Sequence, residues 1–411
     1  MRENFIRLTT AAVVVGAAWL ATLESANATP AFARSTGAAC TKCHTEDFPR
    51  LTARGERFMR NGFQIRSEAG AEIQAPQEGD KKEGEGLKKV ASDLWLNNFG
   101  DIFSAYVEVL GFEKTTRSKS VTIAKPDNVA LLATGSLAKD IPFWAELEYN
   151  PADNEWEADR LFIGSTNMGD TTLLNARIGS LDPTQWTSFY GNAAGAFKSA
   201  ANKLGAYEGS GEASGFSNVG TGLTPRRAVE YYGYNDQFLW SVAVANTPDD
   251  YQQDNERNLD YWATVRYDFL KGSSVSVLYY DANSALETKV WSVAANFRTA
   301  YADLLAQYSR DDGGTFEGGD RKEHSGYTLE ADVPVVKHWL AIARYDTTDN
   351  GLPNDNSEEM LSLGVVYTPV QNLKITTALV TELKQAITGE GDPADVSGKT
   401  NTFTVNLMYG L

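Results

Sequence analysis

Ile141-Pro142-Phe143-Trp144-Ala145-Glu146-Leu147-Glu148-Tyr149-Asn150 decides the fold. In an extended chain Ile141, Phe143, Ala145, Leu147 and Tyr149 share one face, while Trp144, Glu146, Glu148 and Asn150 share the other. That period of two means a strand with one apolar side and one water-facing side. In 261–270 the faces are Ala263, Val265, Tyr267 and Phe269 against Thr264, Arg266 and Asp268. At the end of the chain Phe403, Val405, Leu407, Tyr409 and Leu411 oppose Thr402, Thr404, Asn406, Met408 and Gly410.

About sixteen such segments are expected. They lie near 101–113, 127–138, 141–150, 156–166, 171–180, 226–234, 237–247, 258–270, 273–283, 287–298, 301–311, 324–335, 337–348, 358–369, 372–384 and 399–411. Their connections alternate between tight turns, such as Lys139-Asp140 and Lys271-Gly272, and longer polar loops, such as 248–257 and 385–398. Short turns at one end and long loops at the other are the asymmetry of a transmembrane barrel. The pattern therefore predicts an all-β, antiparallel barrel of about sixteen strands spanning an outer membrane, its outside in contact with lipid. A soluble β-sandwich is the competing fold, but it accounts for neither that asymmetry nor the Tyr and Trp residues near strand ends. The longest connection, 181–225, has two readings: a constriction folded into the channel, resembling the third external loop of porins, or a surface loop.

The formal charge of −17 excludes a nucleic-acid partner. Residues 1–28 read as a removable signal peptide: Arg2 and Arg7 precede an apolar stretch over 9–23, and Ala26-Asn27-Ala28 fits a cleavage site. No later segment offers the roughly twenty apolar residues a membrane helix needs. Residues 29–66 carry seven Lys or Arg against three Asp or Glu, a net of +4. The polar, Gly-containing stretch 67–91 has a linker's composition and leaves 92–411 as the strongly acidic barrel.

The basic module holds Cys40-Thr41-Lys42-Cys43-His44, the pattern that attaches a c-type haem through two thioethers with the histidine as axial iron ligand. These are the chain's two cysteines, so none is left to complete a four-ligand zinc site. A redox disulfide between them is the alternative. Thr52 is placed to cap a helix over Ala53–Arg60 that ends at Asn61-Gly62, and Phe48, Leu51, Phe58 and Phe63 are candidates to cover the haem faces. About forty residues are too few to bury a porphyrin alone. The simplest assembly puts the module in the barrel lumen as a plug, where Glu146, Glu148, Arg177, Glu230 and Arg266 would face it.

This combination resembles the fused outer-membrane cytochrome-porins of iron-oxidising bacteria, in which one c-type haem precedes a barrel of about sixteen strands. The local likeness covers 32–63: Phe32-Ala33-Arg34, Gly37, Cys40-Thr41-Lys42-Cys43-His44, Phe48-Pro49-Arg50-Leu51-Thr52, Gly55, Phe58 and Asn61-Gly62-Phe63. The resemblance implies oxidation of extracellular Fe(II) and transfer of the electron to a periplasmic cytochrome, an iron:cytochrome c oxidoreductase type of activity. By position it implies that Cys40 and Cys43 hold the haem and His44 ligates its iron.

Met59 is the candidate sixth ligand, or a packing residue beside Phe58. His324 and His338 are expected to be surface or lumen residues rather than ligands. Two other functions stay open: an outward conduit to an external acceptor, and a diffusion porin with a structural haem. Acidic loops around Asp249, Asp311 and Glu390 suit hard divalent cations but define no site.

Overall fold

The structure, a computed structural model, describes residues 31–36, 38–47, 50–64, 88–89, 95–96, 102–115, 121–150, 154–188, 225–246, 259–282, 288–315, 321–349, 357–370, 372–384 and 401–410. The expected leader 1–28, most of the linker 67–91, and Gly37, Phe48 and Pro49 lie outside the described residues.

Sixteen antiparallel strands close into a barrel. In chain order they are β1 (Phe103–Thr115), β2 (Val121–Ala138), β3 (Ile141–Asn150), β4 (Glu155–Ser165), β5 (Asn175–Leu181), β6 (Arg226–Tyr234), β7 (Phe238–Asn246) and β8 (Leu259–Leu270). They continue as β9 (Ser273–Ala282), β10 (Thr288–Arg298), β11 (Asp303–Thr315), β12 (Arg321–Val336), β13 (Trp339–Asp349), β14 (Ser357–Val370), β15 (Leu373–Lys384) and β16 (Asn401–Gly410). Each strand pairs with its chain neighbours, and β16 pairs with β1 to leave no edge. A separate two-residue ladder joins Lys88–Lys89 to Trp95–Leu96.

Burial along the strands is the reverse of that in a water-soluble protein. On β8 Val265 is 55% exposed, whereas its neighbour Arg266 is 6% exposed. The apolar face points out and the polar face points into the lumen, as alternation requires when hydrocarbon is outside. Such a surface is incompatible with the sandwich alternative, which needs its apolar faces turned inward. Aromatic pairs mark both ends of the apolar band. Phe238–Tyr267, Phe269–Phe297 and Trp339–Tyr367 lie toward the short turns, and Tyr149–Trp156, Tyr279–Trp291 and Tyr327–Tyr345 toward the long connections.

The short turns include Lys139–Asp140, Lys271–Gly272 and Lys337–His338, and their second residues take positive φ values of 66°, 82° and 71°. That left-handed conformation lets a two-residue hairpin follow the strand twist. His338 therefore belongs to a turn, whereas the sequence places it on a strand. A similar difference occurs before β5, which begins at Asn175 rather than near 171. The Asn175 side chain accepts from the Asn167 amide and donates to the Thr172 and Tyr232 carbonyls, tying 167–174 into a turn.

Depth in the bilayer sets the cost of a charge on the outer face. Val277→Arg, mid-strand on β9, is expected to lower stability by about 2–4 kcal/mol, and Val121→Arg, at the long-loop end of β2, by about 0–1 kcal/mol. Guanidinium titration of the liposome-folded barrel, followed by tryptophan fluorescence, measures both.

Candidate cofactor-binding site

Among the described residues the N-terminal module has three short helices: α1 (Ala31–Thr36), α2 (Cys40–Cys43) and α3 (Ala53–Arg60). One turn of α2 spaces the two thiols i, i+3 on one face. The His44 amide donates to the Cys40 carbonyl at 2.8 Å, and His44 then pairs with Leu51 in a single antiparallel bridge. The Thr52 amide donates to the Cys43 carbonyl at 2.8 Å, while its hydroxyl donates to the Lys42 carbonyl and accepts from the Gly55 amide. Thr52 is thus the N-cap of α3 and its tie to the cysteine turn. Gly55 sits so close to the Cys43 carbonyl that a Cβ would collide with it. Helix α3 ends at Asn61 and Gly62, whose φ of +67° suits glycine.

Cys40 and Cys43 are not joined as a disulfide. Burial pushes both thiols up from the ordinary range, and the Arg54 charge works in the opposite direction on Cys43. Two thiols one helical turn apart and outside any disulfide, followed directly by an imidazole, are the donor set that covalent haem attachment requires, so these residues fit that cofactor. Within the module Phe32 meets Phe58 at 5.1 Å and Phe63 at 4.9 Å, and Phe63 meets Trp144 of β3 at 5.6 Å between ring centres. The sequence offers Phe58 and Phe63 as haem cover; the structure adds Phe32, marked in the sequence only by the family likeness, and Trp144, marked only as a water-facing strand residue.

The module bonds to the lumen wall around its circumference, always near the short-turn end. Gln64 donates to Ser136 and to the Ala138 carbonyl on β2, and Gly62 lies against Pro142 of β3. On β6 the Tyr232 hydroxyl donates to the Arg60 carbonyl, and Tyr234 donates to Asn61. Arg60 pairs with Asp268 of β8 at 2.8 Å, and Arg266 donates to Glu56 at 2.5 Å. Arg50 pairs with Asp303 of β11 at 2.6 Å and with Asp332 of β12. Asp47 faces Lys374 of β15 at 3.8 Å. Asp47, Glu330 and Asp332 bring carboxylate oxygens within 4.8 Å of one another. Arg50 and Lys374 supply countercharge to this trio. Burial opposes the Arg50 charge, but Asp332, Asp303, Glu330 and Asp47 outweigh it and hold the guanidinium protonated.

Met59 packs against Trp186, Tyr232, Tyr234 and Leu239, and its sulfur accepts from Gln185 at 3.4 Å. Gln185 and Trp186 belong to the described start of the long connection, 182–188, which turns inward. Ser188 bonds to Ser274 and Ser276 on β9, and Arg177 lies over the rings of Phe162, Trp186 and Tyr232 while bonding Glu230. Of the two readings of that connection, this part follows the constriction; residues 189–224 lie outside the described ones.

No protein-family model matches the chain, and no curated protein matches it. Solved porins share its architecture. The anion-selective porin of Comamonas acidovorans aligns at a TM-score of 0.55 and 16% identity over 75% of this chain and 98% of that one. Salmonella typhi OmpF in complex with daunomycin gives 0.51 and 13% over 75% and 97%, and outer-membrane expressed OmpT of Vibrio cholerae 0.50 and 12% over 79% and 100%. At these identities the likeness is one of fold. The chain is a porin-like β-barrel of the cell outer membrane, and its short turns mark the periplasmic end.

Removing one partner from a buried ion cluster leaves uncompensated charge, at a cost of about 3–5 kcal/mol. Arg50→Ala should therefore loosen the module without opening the strands. In limited proteolysis of the detergent-folded protein, cleavage within 44–64 should accelerate while the barrel keeps its heat-modifiable gel mobility.

Proposed function

We propose that the protein is an outer-membrane electron carrier that takes electrons from extracellular Fe(II) through one covalent c-type haem and delivers them to a periplasmic cytochrome. One observation carries the reading: the peptide bearing Cys40, Cys43 and His44 is bonded to the inside of a barrel at its periplasmic end. There the wall supplies the enclosure that so small a module lacks. Likeness over 32–63 to the fused cytochrome-porins agrees with it.

Cys40 and Cys43 would hold the haem, with His44 as proximal iron ligand and Met59 as candidate sixth ligand in competition with its contact to Gln185. When bound, the haem supplies a one-electron ferric/ferrous couple. The wall residues fix the module through Arg50, Arg60, Glu56 and Asp47, and Phe32, Phe63 and Trp144 offer apolar surface beside it. Toward the outer mouth the lumen face carries Glu148 and Glu157, directly opposed across β3 and β4. Like charges placed so cost energy that a hard divalent cation offsets, which suits entry of Fe(II).

The likeness to porins favours a second reading, a diffusion porin with a structural haem. Against it, the described lumen face of β8 to β14 is lined by polar side chains that are almost fully buried, among them Thr264, Ser276, Ser309, Thr328 and Ser362. Conductance in planar bilayers distinguishes the two, since a plugged lumen should pass few ions.

The central test is stopped-flow mixing of the purified oxidised holoprotein with excess Fe(II) at acidic and neutral pH, beside a Cys43→Ala variant. Reduction of the wild-type haem is the expected result. A haem that stays oxidised at both pH values refutes the iron assignment, and a colourless wild-type protein refutes the cofactor.

A further inference from the structure

The stretch of the module that carries Asp47 and Arg50 is closed on itself. The Thr45 amide donates to the Arg50 carbonyl at 2.9 Å, and the Arg50 amide donates to the Asp47 carbonyl at 3.0 Å. Both side chains are buried against the wall, where ion pairs gather Asp47, Asp303, Glu330, Asp332 and Asp346 with Arg50, Arg298, Arg344 and Lys374. Five carboxylates stand against four cations, so with every group ionised one negative charge is left over.

The hydrogen bonds fall short as well. Arg50 reaches Asp303 and Asp332 through the Oδ2 atom of each. The Oδ1 atoms of Asp47, Asp303 and Asp332 are buried and accept no hydrogen bond. Lys374 stands 3.8 Å from Asp47 Oδ1, beyond hydrogen-bond range. A neutral side chain shares the deficit: Asn296 of β10 is almost fully buried, and its carboxamide oxygen has no donor either. Asn296 lies on the same inward row as Glu330, with Leu305 between them. The unmet groups are thus oxygen acceptors. A water molecule brings no charge to them, and a proton joins at most two oxygens, whereas a metal cation draws several oxygens at once. Oxygens bound to one Ca(II) at about 2.3–2.6 Å stand no further apart than about twice that distance. Asp47, Glu330 and Asp332 meet this limit, with carboxylate oxygens within 4.8 Å of one another.

We propose that Asp47, Glu330 and Asp332 bind one hard divalent cation, of the class of Ca(II) or Mn(II), which clamps the module to the barrel wall. One ligand comes from the module and two from β12, so the ion joins parts that are 283 residues apart in the chain between Asp47 and Glu330. All three donors are carboxylates, which favour such ions over softer metals. The inference does not depend on the haem reading.

The test strips the purified full-length protein with EDTA, removes the chelator and titrates with Mn(II), reading the free ion by electron paramagnetic resonance; Ca(II) is then added as competitor. One equivalent should bind more tightly than any ions held by the acidic loops, and Ca(II) should displace it. Asp47→Asn and Glu330→Gln should each weaken that equivalent by about tenfold or more. Lys374→Met removes a cation that competes for Asp47 and should tighten it. Asp47 and Lys374 face each other across the same contact, so mere loosening of the module would move both variants in one direction. Ca(II) should also slow cleavage within 44–64 in the wild type but not in Asp47→Asn, and unchanged gel mobility shows that the variants fold. Absence of the tight equivalent, equal binding by wild type and Asp47→Asn, a Lys374→Met variant that binds no more tightly, or cleavage indifferent to Ca(II) would each overturn the proposal. Because neither readout uses the haem, a colourless protein refutes the cofactor reading and leaves this test intact.

Discussion

Charge buried between peptide and wall holds this molecule's two parts in one arrangement. Arg50 lies almost without solvent between Asp303 and Asp332, which come from neighbouring strands. Taking a guanidinium out of water is expensive, and its attraction to two carboxylates offsets that cost only where geometry is close. The module has too few apolar residues to form a core, so ion pairs take over the task of fixing it. They also fix its rotation. Asp47 meets a cation on β15, Arg60 an anion on β8 and Arg50 anions on β11 and β12, so a rotated module would set like charges together.

The inward segment 182–188 extends the same logic to one side of the lumen. Glu230 is fully buried, yet its carboxylate accepts from Arg177, Trp186 and Trp262. Arg177 in turn lies over three aromatic rings, where a weakly hydrated planar cation is well accommodated. Through Gln185 and Trp186 this cluster reaches Met59, so a polar network in the wall ends on the sulfur of the module.

Strand positions were legible because lipid and water impose opposite demands on alternate residues; 141–150 and 226–234 match the described strands at both ends. Helix α3 was equally legible, since Thr52 and Asn61-Gly62 are local signals for its two ends. The start of β5 was not, because Thr171–Leu174 reads as extended until the Asn175 side chain ties it into a turn. Pairing across the lumen was illegible for a different reason. Arg50 and Asp332 are 282 residues apart, and alternation says that Asp332 faces inward but not which module residue it meets. The meeting of Phe32 and Trp144 with Phe63 is illegible for the same reason: each is marked only within its own segment, and the folded barrel brings them together.

The anchors of the module all lie at one rim, which bears on biogenesis. A peptide held only near the periplasmic opening need not be threaded past the outer mouth, and its withdrawal disturbs no rung of the β-ladder. Seating of the cysteine-bearing segment and closure of the cylinder are thus separable events.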